Sequence, residues 1–315
     1  MKFFLLLFFS LAPSFLPAQS ILLKEIIHLT NPGDGEYYYP KFSNDGTKIF
    51  FTKDNYKGIY SYDLEKKSLK MLNDESGAGY EFDVNSSGNL VYYRSDRYTN
   101  GRKYSTLKSL NTASGVIQKI VTDKRDLSTP KYIGNNKIVY SVKDKITVVA
   151  GNNALKKSVI TSADKPFVLI EKSGIALYTA GKKKLLSPMG RGNYIWPSVS
   201  PDNTKLLFTC AGKGTFVSDL NGNIISKIGY ANYPQWSPDG KWISYMVDKD
   251  NGYSVISSDV YISSWDGKKT FKITDTPDIY EMYPEWSPEG NRIAVNTYDG
   301  KILILVLNIE EQGTK

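Results

Sequence analysis

Histidine and cysteine are almost absent from this sequence, with one of each in 315 residues. A single histidine, His28, excludes the common histidine-dependent catalytic triads, the metal sites that use two histidines with a carboxylate, and most zinc sites. The chain also lacks the Gly-x-Ser-x-Gly motif of the α/β hydrolases, which argues against an appended peptidase domain. These absences predict a protein that is not an enzyme, with no catalytic residues, no metal ligands and no cofactor.

The lone cysteine, Cys210, excludes a disulfide within the chain. It ends the run Leu206–Cys210, which has the composition of a β-strand, and this favours a small buried side chain over a reactive thiol. The fold must therefore be stabilised by apolar burial and by sheet pairing.

Only one apolar run is long, and it lies at the beginning of the sequence. One basic residue precedes the run, prolines interrupt it at Pro13 and Pro17, and small residues follow at Ala18 and Ser20, as in secretory signal peptides. A membrane anchor is the alternative, although the run is short for a span. We therefore expect a signal peptide at residues 1–20 and a mature chain, 21–315, that is periplasmic or secreted and has no membrane span.

Neither sign of charge is dominant, since 40 lysines and arginines accompany 32 acidic residues, for a net charge of +8. The basic runs Lys66–Lys67 and Lys182–Lys184 are predicted to be solvated loop tips, with attraction to anionic surfaces as the alternative. Nucleic acid is not an expected partner, because the mature chain is predicted to work outside the cytoplasm.

Internal repetition is the most informative feature that the sequence does contain. Four segments share a proline, an aromatic or apolar anchor, a turn of the Ser-Pro-Asp-Gly type and an apolar run; they are 39–51, 196–208, 233–245 and 283–295. Proline suits the start of a strand, Asp and Gly suit the turn, and the apolar run suits a buried strand. Each unit is therefore predicted to be a strand, a tight turn and a second strand.

Weaker copies of this unit fill the gaps between the four clear ones. With the proline position as marker, the copies lie at Pro40, Phe82, Pro130, Pro166, Pro197, Pro234 and Pro284. Their mean spacing of about 41 residues is that of a four-stranded propeller blade. Ile21–Thr30 resembles the last strand of a unit and is expected to complete the final one, which closes the ring. The prediction is a single all-β propeller domain of seven blades with four antiparallel strands each, with six blades as the alternative.

These residues resemble the repeats of the TolB-like β-propeller family. The likeness rests on Pro234–Gly240, Asp259–Ile262 and Gly267–Thr274, which match the family's Pro-x-Trp-Ser-Pro-Asp-Gly, Asp-Ile-Tyr-Val and Gly-to-Leu-Thr elements in order. The likeness covers essentially the whole chain after residue 20. The resemblance implies an exported, non-catalytic propeller that binds an envelope protein or peptide, and we expect it to be a monomer.

Aromatic residues concentrate just before the marker positions, where a propeller chain enters the innermost strand of a blade near the channel. Such side chains suit partner binding, because they bury a large area at low entropy cost; packing between blades is the alternative. The predicted partner-binding residues are the aromatics Tyr39, Tyr80, Trp196, Tyr233 and Tyr283, with Glu36, Glu281 and Arg191 as a polar rim.

Two other activities stay open at this point. A carbohydrate-binding or carbohydrate-active propeller is the alternative function, because stacking rings and acids in a channel would also serve a sugar. Asp248–Gly252 has the alternating acids and the glycine of a partial calcium loop, but it lacks the later glutamate, and a hairpin tip is favoured there.

Overall fold

β-Strands make up almost all the regular structure of this chain. The computed structural model describes residues 20–31, 33–134, 136–143, 145–150, 157–158, 165–171 and 174–310. Within these ranges there are 27 strands, and Asp54–Tyr56 is the one helical segment, a short 3-10 turn. The predicted signal peptide lies outside the described residues, apart from Ser20. No helix in the described ranges is long and apolar enough to cross a membrane.

The first strand, β1, spans Ser20–His28, and the remaining strands follow in seven consecutive groups, here called blades 1 to 7. Blade 1 consists of β2 (Tyr37–Phe42), β3 (Lys48–Lys53), β4 (Ile59–Asp63) and β5 (Ser68–Asn73). Blade 2 consists of β6 (Asp83–Val84), β7 (Leu90–Thr99), β8 (Arg102–Asn111) and β9 (Ile117–Lys124). Blade 3 consists of β10 (Lys131–Tyr132), β11 (Lys137–Val142), β12 (Lys145–Ala150) and β13 (Lys157–Ser158).

The second half of the chain continues the series. Blade 4 consists of β14 (Phe167–Glu171), β15 (Gly174–Thr179) and β16 (Lys182–Leu186). Blade 5 consists of β17 (Tyr194–Val199), β18 (Lys205–Cys210), β19 (Gly214–Asp219) and β20 (Ile224–Gly229). Blade 6 consists of β21 (Asn232–Trp236), β22 (Trp242–Asp250), β23 (Val255–Ser264) and β24 (Thr270–Lys272). Blade 7 consists of β25 (Glu281–Trp286), β26 (Arg292–Thr297) and β27 (Ile302–Glu310), to which β1 is added.

Each blade is an antiparallel sheet, and its strands follow one another in chain order apart from β1, which lies beside β27 in blade 7. All seven marker positions lie within, or directly before, the first strand of a blade. The weak copies at Phe82, Pro130 and Pro166 are therefore genuine blades, and the predicted count of seven is confirmed.

Buried apolar side chains join each blade to the next. Phe50 packs with Phe82 between blades 1 and 2, and Leu207 packs with Ile243 between blades 5 and 6. The same kind of cluster joins blade 7 to blade 1, where Ile304 packs with Ile49. Seven such clusters occur in the described ranges, one for each junction between neighbours, so the blades form a ring around a central channel.

The strand that completes blade 7 comes from the other end of the chain. β1 pairs antiparallel with β27 along its whole length, from Ser20 opposite Glu310 to His28 opposite Leu303. The Leu29 amide extends this ladder by donating to the Ile302 carbonyl at 2.9 Å. The predicted pairing of the first strand with the last blade is confirmed.

Blade 4 departs from the predicted four strands, because the structure shows three. Only seven residues, 187–193, separate β16 from β17, and this is too short for a further strand with two turns. Lys182–Lys184 lies in the exposed strand β16, so the prediction of a loop tip for this basic run was wrong.

The Ser-Pro-Asp-Gly turns have the geometry that their sequence predicts. In blade 6 the Ser237 hydroxyl donates to Asp239 Oδ1 at 2.6 Å and accepts the Trp242 amide at 2.9 Å, while Gly240 is left-handed with φ of 70°. In blade 5 the glycine is replaced by Asn203, which adopts the same conformation with φ of 60°. These turns lie on the face of the ring opposite to the aromatic residues described below.

The single cysteine and the single histidine have opposite surroundings. Cys210 is fully buried in the apolar cluster between blades 4 and 5, which confirms its prediction as a buried apolar residue. His28 is exposed on β1.

Candidate functional site

The first strands of blades 1, 5, 6 and 7 share a β-bulge at the marker proline. In β2, Tyr38 pairs with Thr52 and Lys41 pairs with Phe50, so the strand carries one extra residue between these pairs. The pairing shifts in the same way in β17, β21 and β25. The residue before each proline is left-handed, with φ of 55° at Tyr39, 51° at Trp196, 51° at Tyr233 and 54° at Tyr283. A bulge re-aims side chains, and these four aromatic residues all line the mouth of the channel.

Left-handed backbone costs a bulky residue about 1–2 kcal/mol, so its surroundings must hold it in place. At two of the bulges the preceding blade does so: the Tyr39 amide donates to Asn296 Oδ1 at 3.0 Å, and the Tyr283 amide donates to the Met246 sulfur at 3.4 Å. Glu81, directly before the marker of blade 2, is also left-handed, with φ of 48°. Strain of this kind is concentrated at functional sites, and its repetition at one position in five blades directs attention to the channel mouth.

Six aromatic rings form a continuous series around the mouth, here called the aromatic arc. In order, they are Tyr80, Tyr56, Tyr39, Tyr283, Tyr233 and Trp196, with centroid distances between successive rings of 5.0, 5.2, 4.4, 5.2 and 6.2 Å. Most neighbours meet edge to face or tilted, which is the favourable geometry for such pairs. The Tyr39 and Tyr56 hydroxyl oxygens also lie 3.0 Å apart in a hydrogen bond. The arc is therefore an ordered surface rather than a set of separate side chains.

The aromatic arc lines one side of a cavity of about 980 Å³. Blades 3 and 4 supply the other side, with apolar residues that include Ile146, Val168 and Leu169 and with charged residues that include Lys143 and Glu171. A cavity of this volume accommodates a small molecule or several side chains of a peptide.

Charged residues form the floor of this cavity. They occupy the position directly after the marker in blades 7, 1, 2 and 3, and they are Glu285, Lys41, Asp83 and Lys131, here called the waist. Their charges alternate in sign from blade to blade. Three of them also line a second cavity of about 490 Å³ on the turn face, so the waist separates the two ends of the channel.

The two middle members of the waist pair with each other. Lys41 Nζ lies 2.7 Å from Asp83 Oδ1. Burial disfavours the charged form of Lys41, but Asp83 and then Glu285 outweigh it, and the pKa of Lys41 is raised. Asp83 also accepts the Val84 amide at 2.9 Å and the Tyr132 amide at 2.7 Å, so it joins blades 1, 2 and 3.

The end members of the waist have fewer partners. Lys131 Nζ donates to the Val168 carbonyl at 3.3 Å, and burial lowers its pKa. No side-chain hydrogen bond or ion pair joins Glu285 to another residue in the described part of the chain. Burial raises the pKa of Glu285 to about 7, although the Lys41 charge opposes this shift. Burial and then the Glu285 charge raise the pKa of the Tyr233 hydroxyl, which shows that these two groups are electrostatic neighbours.

The structure brings together five of the eight residues predicted to bind a partner. Tyr39, Tyr80, Trp196, Tyr233 and Tyr283 all belong to the aromatic arc and line the same cavity. Their role in binding stays a prediction, since the geometry fixes their location and not their use.

The predicted polar rim is not assembled at this cavity. Glu281 is fully buried in β25, where its Oε1 accepts the Thr276 hydroxyl at 2.5 Å and burial raises its pKa. Glu36 is exposed and accepts the Tyr38 hydroxyl at 3.0 Å, and Arg191 is exposed on the turn before β17. None of the three lines the cavity. In each blade, the side chains that precede the marker do not all point to the channel.

Sequence reasoning missed Tyr56 and the waist. Tyr56 lies on the β3–β4 connection, outside the repeated unit, so nothing in the repeat marks it. The waist has a usable signal, because each member directly follows a marker position, but the residue type changes from blade to blade. The carboxylates of the predicted hairpin tip at Asp248–Gly252 already accept hydrogen bonds from the protein: Asp250 Oδ1 accepts the Gly252 amide at 2.8 Å, and Asp248 Oδ1 accepts the hydroxyl of Tyr230, outside the tip, at 3.3 Å. No group of three or more His, Cys, Asp or Glu side chains is placed to hold a metal ion in the ranges that the structure covers.

Solved propeller structures are similar to most of this chain. TolB from Acinetobacter baumannii matches with a TM-score of 0.50 and 14% identity over 80% of this chain and 57% of its own. A chain of the mitotic checkpoint complex matches with a TM-score of 0.59 and 12% identity over 97% of this chain and 99% of its own. Oligogalacturonate lyase from Vibrio parahaemolyticus matches with a TM-score of 0.48 and 11% identity over 88% of this chain and 79% of its own.

These matches concern the fold alone, because all the identities are low. They confirm the expected resemblance to TolB-like propellers at that level. The chain spans 57% of the length of the TolB structure. No family model and no curated protein matches the chain.

Proposed function

We propose that the protein is an exported β-propeller that binds an envelope protein or peptide at the mouth of its channel, without catalysing a reaction. The aromatic arc anchors the partner, and the cavity of about 980 Å³ receives the partner's side chains. Tyrosine and tryptophan suit this role, because they carry much of the binding energy at protein interfaces.

The observation that carries this proposal is the separation of the aromatic arc from the core. Seven apolar clusters join the blades of the ring in the described ranges, and none of them includes a ring of the arc. The blades are held together by other residues, such as Phe50, Tyr92 and Phe208. Six rings that core packing does not require favour binding over the alternative of packing between blades.

Replacing Tyr233 and Tyr283 together by Ala tests the proposal. The mature chain serves as bait in a pull-down from envelope extract, and captured proteins are identified by mass spectrometry and then titrated as purified partners. We expect the double variant to lose capture, because two adjacent rings of the arc are gone. Its thermal midpoint should stay within a few degrees of the wild-type value.

The matched control replaces Tyr98 and Tyr253 by Ala, since these two tyrosines are 68% and 98% exposed and lie outside the cavity. This variant should capture the partner as the wild type does. Unfolding of the Tyr233/Tyr283 variant would mean that the arc packs the blades, and retained capture would mean that the partner binds elsewhere. Sugar binding on a glycan array, lost in the same variant, would instead support the carbohydrate alternative.

A further inference from the structure

The waist contains a carboxylate that the fold does not pair. Three titratable groups interact electrostatically with Glu285. The charges of Lys41 and Asp83 shift its pKa, and its own charge shifts the pKa of Tyr233. Lys41 is the cation whose charge acts on Glu285, but its ammonium group is held 2.7 Å from Asp83. The charge of Lys41 is therefore already balanced, and a further cation at Glu285 would meet an available negative group.

Two rings of the aromatic arc, Tyr233 and Tyr283, line the same cavity as this carboxylate. Tyr283 precedes Glu285 by two residues on β25, and the Tyr233 ring meets the Tyr283 ring edge to face at 5.2 Å. Ring faces attract a cation within about 6 Å, and aromatic rings with a carboxylate are the groups that recognise cationic ligands. At its far end the arc already binds such a group, because the Arg94 guanidinium lies 5.6 Å from the Tyr80 centroid. Tyr39, Tyr283, Tyr233 and Trp196 have no cation of this kind among the described residues.

We propose that the cavity receives a cationic side chain of the partner, with its charge on the Glu285 carboxylate and its body against the Tyr233 and Tyr283 rings. This inference rests on the proposed function, because it names the chemical group that the partner inserts. At the floor of the cavity an anionic group is less suited, since Lys41 is paired with Asp83 and Lys131 donates to the Val168 carbonyl. Lys143 also lines the cavity, but it lies on the side supplied by blades 3 and 4.

Peptides that differ in a single charge test the proposal. The probes are acetyl-Gly-Arg-Gly-amide and the same peptide with citrulline, which keeps the shape of arginine and removes its charge; a glutamate peptide tests the opposite sign. The indole N–H of Trp196, assigned with a Trp196→Phe variant, reports on the mouth of the cavity by NMR. We expect saturable shifts with the arginine peptide and at least tenfold weaker binding of the other two.

The variant Glu285→Gln removes the charge while it keeps the size of the side chain. We expect it to bind the arginine peptide at least tenfold more weakly than the wild type, and about as weakly as the wild type binds citrulline. Wild-type binding should also weaken as the pH falls through about 7, where Glu285 takes up a proton. The control Glu65→Gln makes the same charge change on the exposed β4–β5 turn and should leave binding unaltered.

Equal binding of arginine and citrulline, unchanged binding by Glu285→Gln, or tighter binding of the glutamate peptide would overturn the proposal. Its failure is distinguishable from failure of the proposed function. If the Tyr233/Tyr283 variant loses partner capture while Glu285→Gln retains it, the platform stands and the cationic contact is refuted. If the arginine peptide binds as expected but the Tyr233/Tyr283 variant still captures the partner, the cavity binds cations and the proposed docking of the partner there is wrong.

Discussion

Blades 5, 6, 7 and 1 bring aromatic rings to the channel mouth, whereas blades 3 and 4 bring mainly charged and aliphatic side chains. Blade 2 is intermediate, with Tyr80 and Phe82 beside Glu81 and Asp83. The first four share the bulge and the left-handed aromatic residue before the marker. In blades 3 and 4 the first strand pairs without a shift of register. A single change in strand pairing therefore accompanies the difference between an aromatic and a polar wall. The result is a cavity with two unlike sides, which suits an asymmetric ligand.

The carboxylates of the waist show the same contrast at a finer scale. Asp83 and Glu285 follow the marker in blades 2 and 7, so they occupy equivalent positions in the repeat. Asp83 accepts two backbone amides and pairs with Lys41, whereas Glu285 is half-buried and has no such partners among the described residues. We therefore expect the first group to stabilise the fold and the second to destabilise it.

Removing Asp83 should have the largest effect. Asp83→Ala leaves Lys41 without its partner inside the channel and frees the Val84 and Tyr132 amides, so we expect a loss of about 3 kcal/mol in the free energy of unfolding. Urea titration followed by tryptophan fluorescence measures this loss. The control is Asp123→Ala, which removes an exposed pair with Arg97 at 3.1 Å and should cost less than about 1 kcal/mol. Equal losses in the two variants would remove the distinction between the waist and the surface.

Replacing Glu285 should have the opposite sign. Burial raises the pKa of Glu285 from its ordinary value of 4.5 to about 7, so the folded state binds more protons than the unfolded state between these values. The contribution of Glu285 to stability is therefore most favourable below about pH 4.5 and falls as the pH rises to 7. Glutamine does not titrate, and we expect Glu285→Gln to be more stable than the wild type by about 2 kcal/mol at pH 8.

The pH dependence supplies the check on this prediction. The gain should disappear near pH 4, where both side chains are neutral. Urea titrations of both proteins at pH 4, 6 and 8 give the three differences in the free energy of unfolding. A loss of stability at pH 8 would show that Glu285 has a stabilising partner after all.

The smallest expected effect separates bulged blades from regular ones. Tyr283 is left-handed, so Tyr283→Gly should be more stable than Tyr283→Ala by about 1 kcal/mol, because glycine relieves the strain. Thr129 occupies the same repeat position in blade 3 and is not left-handed. There the order should reverse, with alanine more stable by about 0.5–1 kcal/mol, because glycine gains more freedom on unfolding. Thermal melts of the four variants measure both differences, and the same order at both positions would contradict the role assigned to the bulge.

The strands could be predicted from the sequence because they depend on local signals. A proline, an aromatic or apolar anchor and a turn of the Ser-Pro-Asp-Gly type recur in the four clear copies, and they mark the strand boundaries there. The closure of the ring could be predicted because Ile21–Thr30 resembles the last strand of a repeat unit. The missing fourth strand of blade 4 was harder to see, because that copy of the repeat is the most altered one.

The floor of the cavity could not be predicted in the same way. Lys41 and Glu285 are 244 positions apart in the sequence and become neighbours only when the last blade meets the first. Glu281 was expected at the rim because it lies two residues before Tyr283, but it is buried within β25. Proximity along the chain correctly indicated which segments approach the channel. The direction in which each side chain points depends on the bulge.

The pairing of β1 with β27 also has a consequence for the order of events during synthesis. β1 is made before every other described strand, yet its partner is added on the order of tens of seconds later at ordinary rates of translation. Until then the ring stays open, and its final junction has nothing to pack against. For the exported chain proposed above, the ring therefore stays unclosed until nearly all of the polypeptide has been made. An unclosed chain is easier to thread through a translocation pore.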